Sequence, residues 1–151
     1  MTGVDQAKNL CESSSQSGPR RAGQAGGREK EMDLNDITYK INGAVFEVNR
    51  ELGSGFLEKV YENALLVELR EIGLKAKSQV PIIVKYKGNE VGEYFADIVV
   101  EDQVILELKA VDALEKIHEA QLLNYLKATG HGIGLLINFT HPKAQIKRFI
   151  L

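Results

Sequence analysis

Three charged residues, Asp97, Glu107 and Lys109, interrupt two otherwise apolar segments of the chain. Burying a charge is costly unless the charge is paired or has a function. The polar pair Glu101-Asp102 between the segments predicts a hairpin centred on Asp102, in which Asp97 lies opposite Glu107 with Cβ atoms about 5 Å apart. Two carboxylates at such a distance repel each other unless they share a proton or a cation. Glu107 and Lys109 are two residues apart and therefore leave the same face of their strand.

Carboxylate oxygens are hard ligands, and in a partly hydrated cleft they favour Mg²⁺ or Mn²⁺. Lys109 would then lie beside the metal, where it can orient a water molecule or offset charge on a phosphate. The spacing alone leaves a second interpretation open. In that interpretation Asp97 and Lys109 form an ordinary cross-strand ion pair, and Glu107 faces solvent.

A helix predicted over residues 113–129, with Asp112 as its N-cap, supplies further polar candidates. One face, expected to look toward the sheet, holds apolar and polar residues at helical spacing: Leu114, Ile117, His118, Gln121, Tyr125 and Ala128. Beside an acid pair, Gln121 and Tyr125 fit the positioning of water or phosphate, although such residues also occur as hydrogen-bonded groups at the edge of a core. His118 is more typical of a structural group.

Two helices are predicted ahead of these segments. Apolar residues recur at spacings of three and four in residues 36–52 and again in residues 57–69. The segment Gly53-Ser54-Gly55 separates the two helices, and Gly73 is expected to end the second.

Strand patterns occupy the remainder. Residues 81–87 alternate apolar and polar side chains, residues 91–100 and 103–110 form the hairpin, and residues 133–139 are typical of a strand buried on both faces. Pro142 is expected to open a last helical turn. The order ααβββαβα predicts an α/β (α+β) fold, in which a mixed sheet of about four strands is flanked by helices.

Composition limits the class of protein. The chain has 151 residues, 44% of them hydrophobic, which suits one domain with a core rather than two domains. Its single cysteine, Cys11, excludes an intrachain disulfide and a cysteine-rich metal site. No apolar run approaches the roughly 18 to 20 residues that span a bilayer, and the N-terminus lacks the pattern of a secretion signal. A cytoplasmic protein with no membrane association is therefore expected.

Residues 1–31 differ from the rest of the chain. They hold five of the 14 glycines, a serine run and no aromatic residue, which is typical of disorder. Because Met32 directly precedes the first helical pattern, this segment is interpreted as a disordered tail or as an N-terminal extension assigned in error. The domain is expected to occupy residues 32–151.

Residues 55–61 have the sequence GFLEKVY, and with this motif the chain resembles the GxxExxY family. Glu51-Leu52-Gly53 and the IHEAQLL of residues 117–123 are also similar to segments of that family. The family belongs to the PD-(D/E)XK nuclease-like superfamily, whose two-part motif is similar to Asp97 followed by Glu107-Leu108-Lys109.

The resemblance implies a restriction-endonuclease-like core with a central mixed sheet. It also implies a divalent-metal site formed by Asp97, Glu107 and the main-chain carbonyl of Leu108, with Lys109 as the catalytic lysine.

Other parts of the resemblance concern the helices. The Gln-x-x-x-Tyr motif, present from Gln121 to Tyr125, is similar to that of the exonuclease branch of the superfamily. The resemblance implies that Glu58 is an acid brought toward the metal and that Tyr61 lines the same face. The chain departs from the usual pattern at Ala96, where the motif has proline, and at Asn49, where many relatives have histidine.

These observations predict a nuclease that uses Mg²⁺ or Mn²⁺ and acts on nucleic acid, with DNA favoured over RNA. Since the net charge is −2, contact with a polyanion must use local groups, such as Lys75, Lys77, Lys85 and Lys87. No aromatic-rich stacking stripe is evident, and a structured, nicked or single-stranded substrate is favoured over duplex.

Two other functions stay open. One is a non-catalytic module that keeps the nuclease fold and binds nucleic acid or protein, with a homodimer or a protein partner at the first two helices. The other is hydrolysis of a small phosphorylated substrate, although the sequence has no glycine-rich phosphate loop.

Overall fold

The structure, a computed structural model, describes residues 31–140 and 142–151. The expected disorder of residues 1–31 concerns a segment of which residues 1–30 lie outside this description. The helices and strands follow in chain order as α1 (Leu34–Leu52), α2 (Glu58–Glu71), β1 (Ala76–Tyr86), β2 (Asn89–Val100), β3 (Val104–Lys109), α3 (Lys116–Thr129), β4 (Ile133–Asn138) and β5 (Gln145–Ile150). No helix in the described part of the chain is both long and apolar enough to cross a membrane.

The first two helices form where the apolar spacing predicts them, and α1 packs against α2. The buried side of α1 carries residues at intervals of three and four: Ile37, Ile41, Ala44, Val45 and Val48. Gly73 follows the end of α2 with a φ of +87°, where a side chain would be strained. This turn lets the Leu74 amide donate to the carbonyl of Leu69 at 3.0 Å. The predicted end of the second helix is confirmed.

The strands form one sheet in the order β1-β2-β3-β4-β5. β3 and β4 are parallel and the other neighbours are antiparallel. The parallel pair requires a crossover, which α3 provides. Every residue of β4 is buried, which confirms the strand predicted from the apolar run. The mixed sheet with flanking helices is also confirmed.

The predicted last helical turn is wrong. Residues Gln145–Ile150 instead form β5, which pairs antiparallel with β4 from Ile133↔Ile150 to Asn138↔Gln145. Without β5, β4 would be an edge strand with unpaired N–H and C=O groups. Pairing with β5 gives these groups their hydrogen-bond partners. The sheet therefore has five strands rather than about four.

Two boundaries also differ from prediction. β1 begins at Ala76 rather than at residue 81, because it pairs along the whole length of β2 as far as Ala76↔Val100. The polar residues of that extension conceal it in the sequence.

Helix α3 begins at Lys116, three residues later than predicted, and Glu115 rather than Asp112 is its N-cap. His118 completes a capping box, since its Nδ1 accepts the Glu115 N–H at 3.0 Å. His118 thus has the structural role that its type suggests.

The face of α3 that packs on the sheet is narrower than predicted. Ile117 is 67% exposed and Ala128 is also exposed, so neither faces the sheet. The cluster that α3 joins contains apolar residues from four strands and the helix: Ile82, Ala96, Val99, Ile105, Leu122, Tyr125, Leu126 and Leu136. The approach of α3 to β4 is close, because a Cβ at Gly134 would lie 2.8 Å from Cδ1 of Leu122.

Candidate functional site

The β2–β3 hairpin has the predicted register. Val100 pairs with Val104 and Ile98 with Leu106, so the turn is centred on Asp102. Continuing this register places Asp97 opposite Glu107, as the spacing predicts. Ile105 packs in the cluster that contains α3 residues, and by alternation along β3 Glu107 also faces α3.

At the Asp97–Glu107 position, side chains replace main-chain partners. The Asp97 N–H donates to Glu107 Oε1 at 3.2 Å, and the Leu108 N–H donates to Asp97 Oδ2 at 2.8 Å. Each carboxylate is therefore held against the backbone of the other strand. The two acids therefore lie on neighbouring positions of adjacent strands.

The environment of the pair penalises negative charge. Burial, reinforced by the charge of Asp97, raises the pKa of Glu107 to about 8. Burial also raises the pKa of Asp97, and the charges of Glu62 and Glu58 add to the effect. Lys109 opposes both shifts without cancelling them. A site of this kind stabilises a bound cation, because the cation removes the repulsion.

The alternative ion-pair interpretation is wrong for this arrangement. Glu107 is only 3% exposed rather than facing solvent. Lys109 Nζ donates to Gln121 Oε1 at 3.5 Å, and Gln121 Nε2 donates to the hydroxyl of Tyr125 at 2.8 Å. Burial raises the pKa of Tyr125, which keeps its hydroxyl neutral. A polar chain therefore runs from beside the acids into α3.

The N-terminal turn of α2 adds two more acids. Glu58 is its first residue and is exposed, yet its charge raises the pKa of both Asp97 and Glu107. Glu62, one turn further, is only 5% exposed and is bound by Lys59 Nζ at 3.2 Å. Glu62 lies outside the sequence motifs, although its spacing of four from Glu58 places both on one helical face.

Gln79 is another residue that the sequence analysis did not select. It has a φ of +50°, and it interrupts the pairing of β1 with β2 at the position of Asp97. Such a conformation is unusual for a residue other than glycine and costs on the order of 1 kcal/mol. The interruption lets Gln79 Nε2 donate to Glu62 Oε1 at 3.0 Å. The strained backbone of Gln79 therefore lies where β1 passes Asp97.

Tyr61, the last residue of the GxxExxY motif, is fully buried. Its hydroxyl donates to the carbonyl of Gly53 at 2.7 Å and accepts the Phe56 N–H at 3.3 Å. Its ring stacks on Phe139 with centroids 4.5 Å apart. Tyr61 therefore fastens the loop that leads into Glu58 instead of lining the surface beside it.

The donor set can be compared with what a divalent cation requires. Within the described residues, no three side chains among Asp, Glu, His and Cys are grouped as a ready-made metal site. The chemistry of the Asp97–Glu107 pair nevertheless fits Mg²⁺ or Mn²⁺, because Mg²⁺ is usually held by one or two carboxylates and keeps several waters.

Comparisons with known proteins identify the family of this chain. Residues 35–149 match the model of a family described as the PD-(D/E)XK nuclease superfamily. None of the curated proteins is significantly similar in sequence.

Among solved structures, the crystal structure of SSO0001 is similar, with a TM-score of 0.53 and 16% sequence identity. The similarity covers 76% of this chain and 60% of that one, so the chain spans somewhat less than two thirds of that protein's length. At this identity the likeness concerns the fold alone.

Proposed function

The chain belongs to the PD-(D/E)XK nuclease superfamily, and on this premise we propose that it is a divalent-metal-dependent nuclease that hydrolyses phosphodiester bonds in nucleic acid, DNA in preference to RNA. The observation that supports it best is the convergence of the Asp97 and Glu107 carboxylates beside Lys109. This is the two-part motif of the superfamily arranged on adjacent strands. The proposed substrate and metal dependence rest on that arrangement and on the family.

The proposed roles follow from the contacts. Asp97, Glu107 and the carbonyl of Leu108 would hold Mg²⁺ or Mn²⁺, which when bound polarises the phosphate and makes water a better nucleophile. Lys109 offsets the negative charge that develops on the phosphate. Its ammonium group donates to Gln121 Oε1 at 3.5 Å, which is a long hydrogen bond.

The outer residues position the inner ones. Gln121 orients Lys109, and the Tyr125 hydroxyl, which accepts from Gln121, fixes the orientation of that amide. Glu58 and Glu62 would increase the attraction of the site for a cation through their charges. In this proposal Glu58 is the acid on an early helix that the family resemblance implies is brought toward the metal.

The experiment is cleavage of labelled single-stranded, duplex and branched DNA and of RNA with Mg²⁺ or Mn²⁺. Asp97→Asn and Lys109→Ala are each expected to lower the cleavage rate by at least a hundredfold. Two matched controls lie away from the acid pair. Asp102→Asn changes an exposed acid in the turn of the hairpin, and Lys40→Ala changes an exposed lysine of α1. Both are expected to leave cleavage unchanged.

Calorimetry with Mg²⁺ separates the nuclease from the non-catalytic module. The nuclease requires that Lys109→Ala abolish turnover while Mg²⁺ binding persists, and that Asp97→Asn abolish both. Mg²⁺ binding without cleavage of any substrate at high protein concentration would refute the nuclease and favour a binding module.

A further inference from the structure

An open groove of about 1270 Å³ lies between α3 and the β1–β2 hairpin. One side is lined by β1 residues together with Tyr94 of β2, and the other by residues of α3 and of the turn that follows it. Ile117, which is 67% exposed, is among the apolar residues that α3 contributes.

The groove is continuous with the candidate catalytic site. Gln121 and Tyr125 both line it, and Gln121 accepts a hydrogen bond from Lys109. Lys109 in turn lies next to Glu107 and acts on its pKa. A chain lying in the groove would therefore reach the acid pair at the Gln121 side.

Tyr94 supplies an aromatic surface in this groove. Its ring is 5.7 Å from that of Tyr125, with 45° between the ring planes, and 51% of the residue is exposed. The two tyrosines are far apart in sequence, so the sequence pattern does not reveal that they are neighbours. A flat, half-exposed ring beside a second ring suits stacking of a nucleobase.

The charge of the groove differs from that of the whole chain. The chain carries a net charge of −2, but the groove is lined by Lys85 and Lys127 and by no aspartate or glutamate. Local positive charge beside an aromatic ring matches the alternation of phosphate and base in a nucleic acid.

We propose that this groove binds single-stranded nucleic acid, with Lys85 and Lys127 facing phosphates and a base stacked on Tyr94. The inference rests on the proposed nuclease function, because it assigns the substrate strand a path to that site. A single strand is required because the bases of a duplex are already stacked and have no free face for Tyr94. Two lysines would also neutralise too few phosphates to hold a duplex by charge alone.

Binding is measured by fluorescence anisotropy with the labelled oligomers (dT)20 and (rU)20 and with a 20-base-pair duplex. The protein is the full chain carrying Asp97→Asn, with EDTA present, so that cleavage does not interfere. Single strands are expected to bind at least tenfold more tightly than the duplex. Comparison of (dT)20 with (rU)20 distinguishes DNA from RNA as the source of the strand.

Tyr94→Ala is expected to weaken single-strand binding by about tenfold, and Tyr94→Phe to restore it, since phenylalanine keeps the stacking surface. Tyr39→Ala is the matched control, because Tyr39 is 80% exposed on α1 and does not line the groove. Replacing Lys85 and Lys127 by glutamine is expected to flatten the dependence of log Kd on log salt by about 0.7 for each lysine.

Tighter binding of the duplex, or equal affinity for (dT)20 and (rU)20 of the Asp97→Asn proteins with and without Tyr94→Ala, would overturn the proposal. The outcome is distinguishable from failure of the nuclease. Groove binding without turnover in the wild-type protein would retain the groove and refute the enzyme. If the wild-type protein cleaves substrate and Tyr94→Ala changes neither KM nor kcat, the nuclease is retained and the groove proposal is refuted.

Discussion

Ionisation of the buried Glu107 carboxyl group lowers the free energy of unfolding when no cation is bound to the Asp97–Glu107 pair. Glu107 has a pKa of about 8 instead of 4.5, chiefly because it is buried. The folded state therefore holds a proton that the unfolded state releases near pH 4.5. Stability is greatest below the unfolded pKa and declines as the pH rises toward the folded pKa, by about 1.4 kcal/mol for each unit of pKa difference in the limit of a single titrating group.

This cost predicts a pH dependence for the metal-free protein. In EDTA, Glu107→Gln is expected to be more stable than wild type at pH 8, with little difference at pH 4.5, because glutamine does not ionise. Urea unfolding at several pH values between 4.5 and 8 measures the difference. Parallel stability curves for the two proteins would contradict the raised pKa.

Glu62 gives a second prediction for a single residue. Its charge raises the pKa of Asp97, and the same charge attracts a cation. Glu62→Gln is expected to weaken Mg²⁺ binding about fivefold, for a coupling on the order of 1 kcal/mol. Calorimetry measures this change. Glu71→Gln is the control, because Glu71 is exposed at the far end of α2, and an equal effect of both substitutions would refute a local role.

The packing of α3 on β4 depends on a missing side chain. A Cβ at Gly134 would lie 2.8 Å from Cδ1 and 3.0 Å from Cγ of Leu122, and Leu122 is itself fully buried. Crowding there would displace α3, which carries Gln121 and Tyr125. The helix and its polar residues are thus positioned by the small size of one strand residue.

Gly134→Ala is accordingly expected to cost about 1–3 kcal/mol in the free energy of unfolding. The matched control is Gly132→Ala, since no atom lies within 4 Å of a Cβ at Gly132 and an effect of less than about 0.5 kcal/mol is expected there. Urea unfolding measures both. If crowding by Leu122 is the cause, Gly134→Ala costs less in a Leu122→Ala background, and an unchanged cost would exclude that cause.

Folding and metal binding are linked across the whole molecule. The acids come from β2, β3 and α2, so the site exists only in the folded chain. Mg²⁺ at a hundred times its Kd is expected to stabilise the wild-type protein by about 2.7 kcal/mol. Thermal unfolding with and without Mg²⁺ tests this. Asp97→Asn should show no such gain, and an equal gain in both proteins would place the cation elsewhere.

Some features could be predicted from the sequence because they depend on local pattern. Apolar spacing is sufficient for α1 and α2, a nearly unbroken apolar run is sufficient for β4, and the polar turn at Glu101-Asp102 is sufficient for the hairpin register. The opposition of Asp97 and Glu107 follows from that register, since pairing in a hairpin is counted from its turn. The acid pair and its neighbour Lys109 can therefore be predicted from the sequence alone.

Other features required the tertiary structure because they depend on contacts between distant segments. β5 is a strand only because β4 has a free edge, and the residues of β5 carry no clear period of two. Glu62 and Gln79 meet beside Asp97 through the packing of α2 on the sheet and an irregular φ in β1. Tyr94 and Tyr125 become one surface only when α3 crosses the β1–β2 hairpin. Periodicity predicts the secondary structure of each segment separately. Contacts between distant segments depend on how those segments pack on one another.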